Sequence, residues 1–155
     1  MPQNTWTMTE VPKARIVAIA DVDRHVREQA RASFGSTPQI NEDYRKLLDD
    51  KRVEVVLIGT PDHWHAKMLI DAVKAGKDVY CEKPLCVTIK EGQATVSAAR
   101  RYARVVQQGN QGRSQAGGRY SAQYVRNGHC GRVRDVFCWH YPNPSHPPAA
   151  PQPVP

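Results

Sequence analysis

The hydrophobic pattern starts at Arg15, where Ile16-Val17-Ala18-Ile19-Ala20 forms a short apolar run suited to a buried strand. Before it, Met1 to Pro12 is polar and without periodicity and is expected to be an irregular leader. Asp23 can cap a helix whose apolar positions Val26, Ala30 and Phe34 share one face, and Gly35 can end it in a left-handed conformation. A brief segment around Gln39 and Ile40 leads to a second helix, with Asn41 as its expected cap and Tyr44, Leu47 and Leu48 on one face. Val53 to Ile58 is almost continuously apolar, and a strand carries such a run when both its faces are covered. That predicts a central place in a parallel sheet, with Arg15 to Ala20 and Asp78 to Cys81 in the same sheet.

After Gly59-Thr60-Pro61, Ala66, Leu69, Ile70 and Val73 predict a helix that starts at Asp62 and closes at Gly76. Asp78 to Cys81 reads as the next strand. Thr88 and Glu91 form a capping box for a helix with Ile89, Val96, Ala99 and Ala103 inward, and Val105-Val106-Gln107 reads as a further strand. Tyr120 to Asn127 predicts a helix stopped by Gly128, and Arg132 to Trp139 one more strand. Residues 141–155 hold seven prolines, which remove backbone donors and predict a disordered tail. The alternation of strand and helix gives an α/β class. The expected organisation is a leader at 1–14, a partial α/β domain at 15–112, the start of a second, α+β domain at 113–140 and a tail at 141–155.

A length of 155 residues suits one domain with a real core and leaves no room for a complete two-domain enzyme. The net charge of +7 raises the question of a nucleic-acid partner. Basic residues are interleaved with acids as far as Asp71. The excess builds from Arg100 through Arg101, Arg104, Arg113, Arg119, Arg126, Arg132 and Arg134, without the aromatic interleaving of a stacking platform. A solvated or partner-facing surface is therefore expected, and no nucleic acid. No run approaches the ~18 apolar residues of a membrane helix. Four cysteines without a CxxC pair and no signal-like amino terminus lead to an expected cytoplasmic location.

In an open parallel sheet, ligands bind beyond the carboxyl ends of the strands. The first strand ends in Asp21, where a dinucleotide fold places the carboxylate that holds a ribose 2′-hydroxyl, although an acid after a strand is also a common helix cap. That acid normally follows a glycine-rich phosphate loop by ~20 residues, and no glycine precedes Gly35. Either the fold does not bind a dinucleotide, or the loop and its strand are missing from this chain. His63 and His65 lack further ligands at metal-site spacing, so no metal is expected, and Trp64 reads as a packing residue. Cys81, after an apolar strand, reads as a buried thiol.

Two further strand ends bear on the choice. Thr60-Pro61-Asp62-His63-Trp64-His65 follows one strand and Cys81-Glu82-Lys83-Pro84-Leu85 the next, linked by Ala75-Gly76-Lys77-Asp78-Val79-Tyr80, and Gly109-Asn110-Gln111 with Arg113 comes after a third. Together they resemble the family of glucose-fructose oxidoreductases, inositol dehydrogenases and MocA-type proteins, from about Arg15 to Trp139. The resemblance implies a Rossmann-type doubly wound sheet that lacks its first strand, NAD or NADP as cofactor, and a sugar or polyol as substrate. It further implies Asp21 at the ribose, and Thr60 and Pro61 on the nicotinamide side. His65 would touch the cofactor from its helix, with Glu82 and Lys83 beside the nicotinamide ribose and Pro84 after a cis bond. Asn110, Gln111 and Arg113 would approach from the neighbouring loop. Relatives often carry Asn in place of Asp62, which leaves Asp62 the role of helix cap. Lys83 would be the catalytic residue, because an ammonium beside a cationic ring and shielded from water gives up its proton more readily.

Relatives complete the acid-base group with an Asp-x-x-x-His helix motif, and none follows Lys83 here. The resemblance thus implies a chain shortened at both ends and inactive alone, with a homo-oligomer possible for the full-length form. Two alternatives are a glycosidase of the same family, which oxidises and re-reduces its sugar with bound NAD, and a non-catalytic module that binds a partner.

Overall fold

The computed structural model describes residues 14–138. They form an α/β structure in the order β1 (Ala18–Ala20), α1 (Arg24–Phe34), β2 (Gln39–Asn41), α2 (Tyr44–Leu48), β3 (Val55–Ile58), α3 (Asp62–Lys74), β4 (Asp78–Cys81), α4 (Ile89–Arg101), β5 (Val106–Gln108) and α5 (Ala116–Arg126), with a 3-10 turn at Gln111–Arg113. Two compact units divide between Gln111 and Gly112. Residues 1–13 of the expected leader at 1–14 and the tail at 141–155 fall outside the described residues.

Local chemistry sets most element ends. The Asp23 side chain accepts a hydrogen bond from His25 N and starts α1, and Gly35 ends it at φ 65°. Thr88 and Glu91 make the reciprocal capping box of α4. At α2 the cap is Asp43, whose carboxylate accepts from Arg45 N. Asn41, expected in that role, is the last residue of β2 and is buried, because pairing with Ala20 holds it in the ladder. Asp62 is likewise not a cap. Pro61 occupies the cap position of α3 without a side-chain bond, so Asp62 stands in the first turn, where its charge favours the positive helix end.

All strand pairs are parallel, and they make two sheets, β1-β2 and β3-β4-β5. This corrects the expectation of one sheet with the Val53 to Ile58 segment at its centre: among the described residues β3 is an edge strand, and β1 belongs to the other sheet. In the doubly wound order 3-2-1-4-5-6, the two sheets match positions 3-2 and 4-5-6. Position 1, which would join β1 to β3, is not filled among the described residues. Coverage is one-sided as well. Ile58, Val79 and Cys81 are buried with Leu69, Ala72 and Val73 of α3 and Leu48 of α2. On the opposite face Val55 and Leu57 are 52% and 42% exposed.

Helix α4 also departs from expectation, since Ile89 and Val96 are exposed and Thr95 is buried. The inward face of a helix is set by its neighbours, here α3. Thr95 can face inward because its hydroxyl donates to Gly92 O at 2.8 Å. Buried Lys77 is satisfied in the same way, its Nζ donating to Asp50 O at 2.8 Å and tying the α3–β4 turn to the end of α2.

In the second unit α5 starts four residues before the expected Tyr120 and ends at Arg126, with Gly128 following at φ 80°. Residues 132–138, expected to open a strand, are in none. A strand exists only through the ladder that it joins. The five strands of the described residues all lie between Ala18 and Gln108.

Candidate functional site

Strand register builds the site. Ile58 stands opposite Cys81, and Cys81 opposite Gln108, so three chains leave the sheet at one rim. The ladder runs on past the strands: Glu82 N donates to Ile58 O at 2.9 Å and Gly109 N to Cys81 O at 2.8 Å. The turns Gly59-Thr60-Pro61, Glu82-Lys83-Pro84 and Gly109-Asn110-Gln111 therefore sit together. The Lys83–Pro84 peptide is cis.

Gly109 is buried against the Glu82 carboxylate, and a Cβ at position 109 would come within 3.0 Å of Oε2. Glu82 Oε2 accepts from Lys83 N at 3.2 Å. Glu82 Oε1, Thr60 Oγ1 and Gln111 Oε1 are buried and have no hydrogen-bond partner among the described residues. Buried polar atoms are almost always paired in folded proteins, so three acceptors left over near one rim suit a ligand rich in hydroxyl or amide donors.

His65, on the first turn of α3, is 1% exposed. Its Nδ1 lies 2.6 Å from Pro84 O and its Nε2 2.8 Å from Thr60 O. Both ring nitrogens thus face main-chain carbonyls of the two turns. Lys83 is exposed, which differs from the expected shielding from water. Its neighbours are held on both sides, Glu82 N by Ile58 O and Pro84 O against His65 Nδ1. Pro61, Pro84 and Asn110 are exposed, and Asn110 Nδ2 donates to Gln108 Oε1 at 3.4 Å.

Asp21 lies at the carboxyl end of β1, in the two-stranded sheet. Its Oδ1 accepts from Asp23 N at 2.8 Å. Arg27 is held nearby, donating to the carbonyls of Asp21 and Val22 at 2.9 Å each and lying 3.5 Å from Glu42. Arg113 is exposed and belongs to the second unit. Burial pushes the Cys81 thiol up to about 11, with the Glu82 charge adding to it, so an inert buried thiol is what the structure holds. Trp64, expected to pack, is 43% exposed.

Sequence reasoning missed two features of the site. One is Gly109 as the floor beneath Glu82, for which the sequence offers no signal beyond a glycine after a strand. The other is the inward orientation of His65, and here a signal existed: positions 65, 66, 69, 72 and 73 form the buried stripe of α3.

Residues 3–110 match the family model described as an oxidoreductase family with an NAD-binding Rossmann fold. The levoglucosan dehydrogenase of Pseudarthrobacter phenanthrenivorans is 34% identical over 100 residues, which are 64% of this chain and 25% of that protein. The inositol 2-dehydrogenase of Salmonella typhimurium is 31% identical over 132 residues, 84% of this chain and 39% of that one. Among solved structures, scyllo-inositol dehydrogenase of Lactobacillus casei with bound NAD(H) and scyllo-inositol aligns with a TM-score of 0.71 at 26% identity, covering 79% of this chain and 36% of the other. The chain spans about a quarter to two fifths of the length of the curated relatives it matches.

Proposed function

This chain belongs to the oxidoreductase family of glucose-fructose oxidoreductases, inositol dehydrogenases and MocA-type proteins, and from that premise we propose that it forms the nicotinamide side of the cofactor site of a sugar or polyol dehydrogenase. The observation that carries this reading is that Thr60, Glu82 and Gln111, on the three turns of one rim, each hold a buried oxygen without a hydrogen-bond partner among the described residues. Ribose hydroxyls and a carboxamide N–H would supply the missing donors. The fit is partial, because the sequence has no glycine before Gly35 with which to build a phosphate-cradling turn.

When bound, the nicotinamide ring accepts or gives a hydride. The chain's own residues do the rest. Thr60 and Pro61 would line the nicotinamide side, and Glu82 would hold the ribose. Asn110 and Gln111 close the site from the third turn. Pro84 would orient the turn, and Lys83 would take the proton of the substrate hydroxyl on oxidation and return it in the reverse direction. Asp21 binds the adenine ribose with the carboxylate oxygen that its turn leaves over. NAD is favoured over NADP, because a carboxylate repels a 2′-phosphate and Arg27 is already committed to main-chain carbonyls. The second unit, which contains Arg113, opens the substrate-side domain. The substrate is a sugar or polyol, and the relatives' named substrates, levoglucosan and scyllo-inositol, are the first to test.

The test is titration of the chain with NAD, followed by amide chemical shifts. Weak binding that moves Thr60, Glu82, Lys83 and Gln111 is expected. Shifts confined to other residues would overturn the assignment. Micromolar affinity would show that a phosphate loop is not needed.

A further inference from the structure

We propose that His65 is a positioning residue that ties the Thr60 turn to the Lys83–Pro84 turn and so sets where Lys83 stands. That this placement serves chemistry rests on the role proposed above for Lys83; the tether itself does not.

The argument starts from the end of the sheet. The β3–β4 ladder delivers its last bond at Glu82, whose N–H donates to Ile58 O. Beyond it the chain turns away, and Pro84 has no N–H with which to continue. The next fixed point is Pro84 O, and what meets it is His65 Nδ1 at 2.6 Å. Lys83 therefore sits between two anchored neighbours, one held by the sheet and the other by the imidazole. The second ring nitrogen, Nε2, is 2.8 Å from Thr60 O, which draws the neighbouring turn to the same ring. Only an imidazole that carries hydrogen on both ring nitrogens donates to both carbonyls; with a single ring N–H it bonds one turn and sets a lone pair against the other carbonyl, so the two-turn tether is the doubly donating ring.

The ring is itself well placed to hold them. It is 1% exposed, on a helix whose Ala66, Leu69, Ala72 and Val73 are buried in the core at 4% exposure or less. Water cannot readily replace a bond made at such depth, and a carbonyl stripped of its donor there is costly. The side chain is thus an internal strut, and it has no ring nitrogen left to offer a ligand.

The experiment compares amide hydrogen exchange in the 155-residue chain, its His65→Leu and His65→Gln variants, and Val73→Ala as a control that weakens the core away from the turns. Glu82, whose ladder bond adjoins the turn, is read against Val79, which donates to Val105 O at 2.9 Å inside the sheet. In His65→Leu, exchange at Glu82 is expected to rise about tenfold relative to Val79. Much of that should be recovered in His65→Gln, whose amide can still donate. In Val73→Ala the ratio should stay that of the parent. An unchanged ratio in His65→Leu, or an equal change in Val73→Ala, would overturn the proposal. Should His65→Leu fail to fold, a long-range ¹H–¹⁵N spectrum of the parent decides the matter: a slowly exchanging ring N–H on His65 supports the tether, and a ring that exchanges freely refutes it. A tether that holds while NAD moves no signal at Lys83 would leave this inference standing and remove the functional reading.

Discussion

At the residue scale the decisive group is Lys83, because it is the one basic side chain on the three turns of the rim. The chemistry assigned to it is tested in an active version carrying the flanking segments of a relative. Replacing Lys83 with Met keeps the stem and removes charge and proton, so turnover should fall by about 10² to 10⁴. Affinity for NAD should change far less, and parental turnover would reassign Lys83 to a structural role. A second prediction concerns Asp71, which accepts from Tyr44 Oη at 2.7 Å and Lys67 Nζ at 2.6 Å and joins α2 to α3. Burial pushes its carboxyl upward, but the Lys67 and Tyr44 bonds outweigh it and hold it below the ordinary 3.8. Burial and the Asp71 bond hold Tyr44 above its ordinary 10.0. A lowered acid stabilises the fold above its ordinary value and loses that contribution as pH falls through the lowered one; a raised tyrosine contributes below its ordinary value and loses it as pH rises. The Tm difference between the parent and Asp71→Asn should therefore be steady from about pH 5 to 9 and shrink on both sides. A difference that stays constant down to acid unfolding would remove Asp71 as the cause.

At the scale of elements, the caps of α1 and α4 and the buried stripe of α3 were legible in the sequence, whereas the cap of α2 and the buried face of α4 were not. The Thr88–Glu91 box is an interaction within four residues, so the motif implies the bond. Glu91 N donates to Thr88 Oγ1 at 3.2 Å, and Thr88 N donates to Glu91 Oε2 at 3.0 Å. Thr88→Ala should cost about 1 kcal/mol in denaturant unfolding, and an unchanged midpoint would show that α4 is held by packing alone. The faces of α4 were misread at Ile89 and Val96, because apolar spacing says which residues share a stripe and not whether a neighbour covers it. Gly109 shows the same limit. Its closeness to Glu82 depends on the β4–β5 register, so Gly109→Ala should push the Glu82 carboxylate aside and weaken the NAD-induced shift at Lys83 while sparing the shift at Asp21. Equal loss at both residues would indicate general damage.

For the molecule as a whole, the main consequence of the topology is that β1 and β3 each present an edge unpaired among the described residues, and that β3 also exposes Val55 and Leu57. An apolar edge strand is a template for association. Val55→Lys should reduce self-association in sedimentation velocity and leave unfolding free energy within about 0.5 kcal/mol, as expected of a surface position. Unchanged association would place the contact elsewhere.

The sequence by itself determined the α/β alternation, both ends of α1, the start of α4, the buried thiol of Cys81 and the two strand-end turns that identify the family. All of these are local in the chain, where caps, periodicity and short motifs act over a few residues. Tertiary structure alone decided that β3 is an edge among the described residues, that Thr95 rather than Val96 faces inward, and that Asn41 joins a ladder instead of capping a helix. It also decided that His65 bridges Thr60 and Pro84. Each of these depends on which partner reaches a residue from a distant part of the chain, and hydrogen bonds and burial are settled by that partner as much as by the residue.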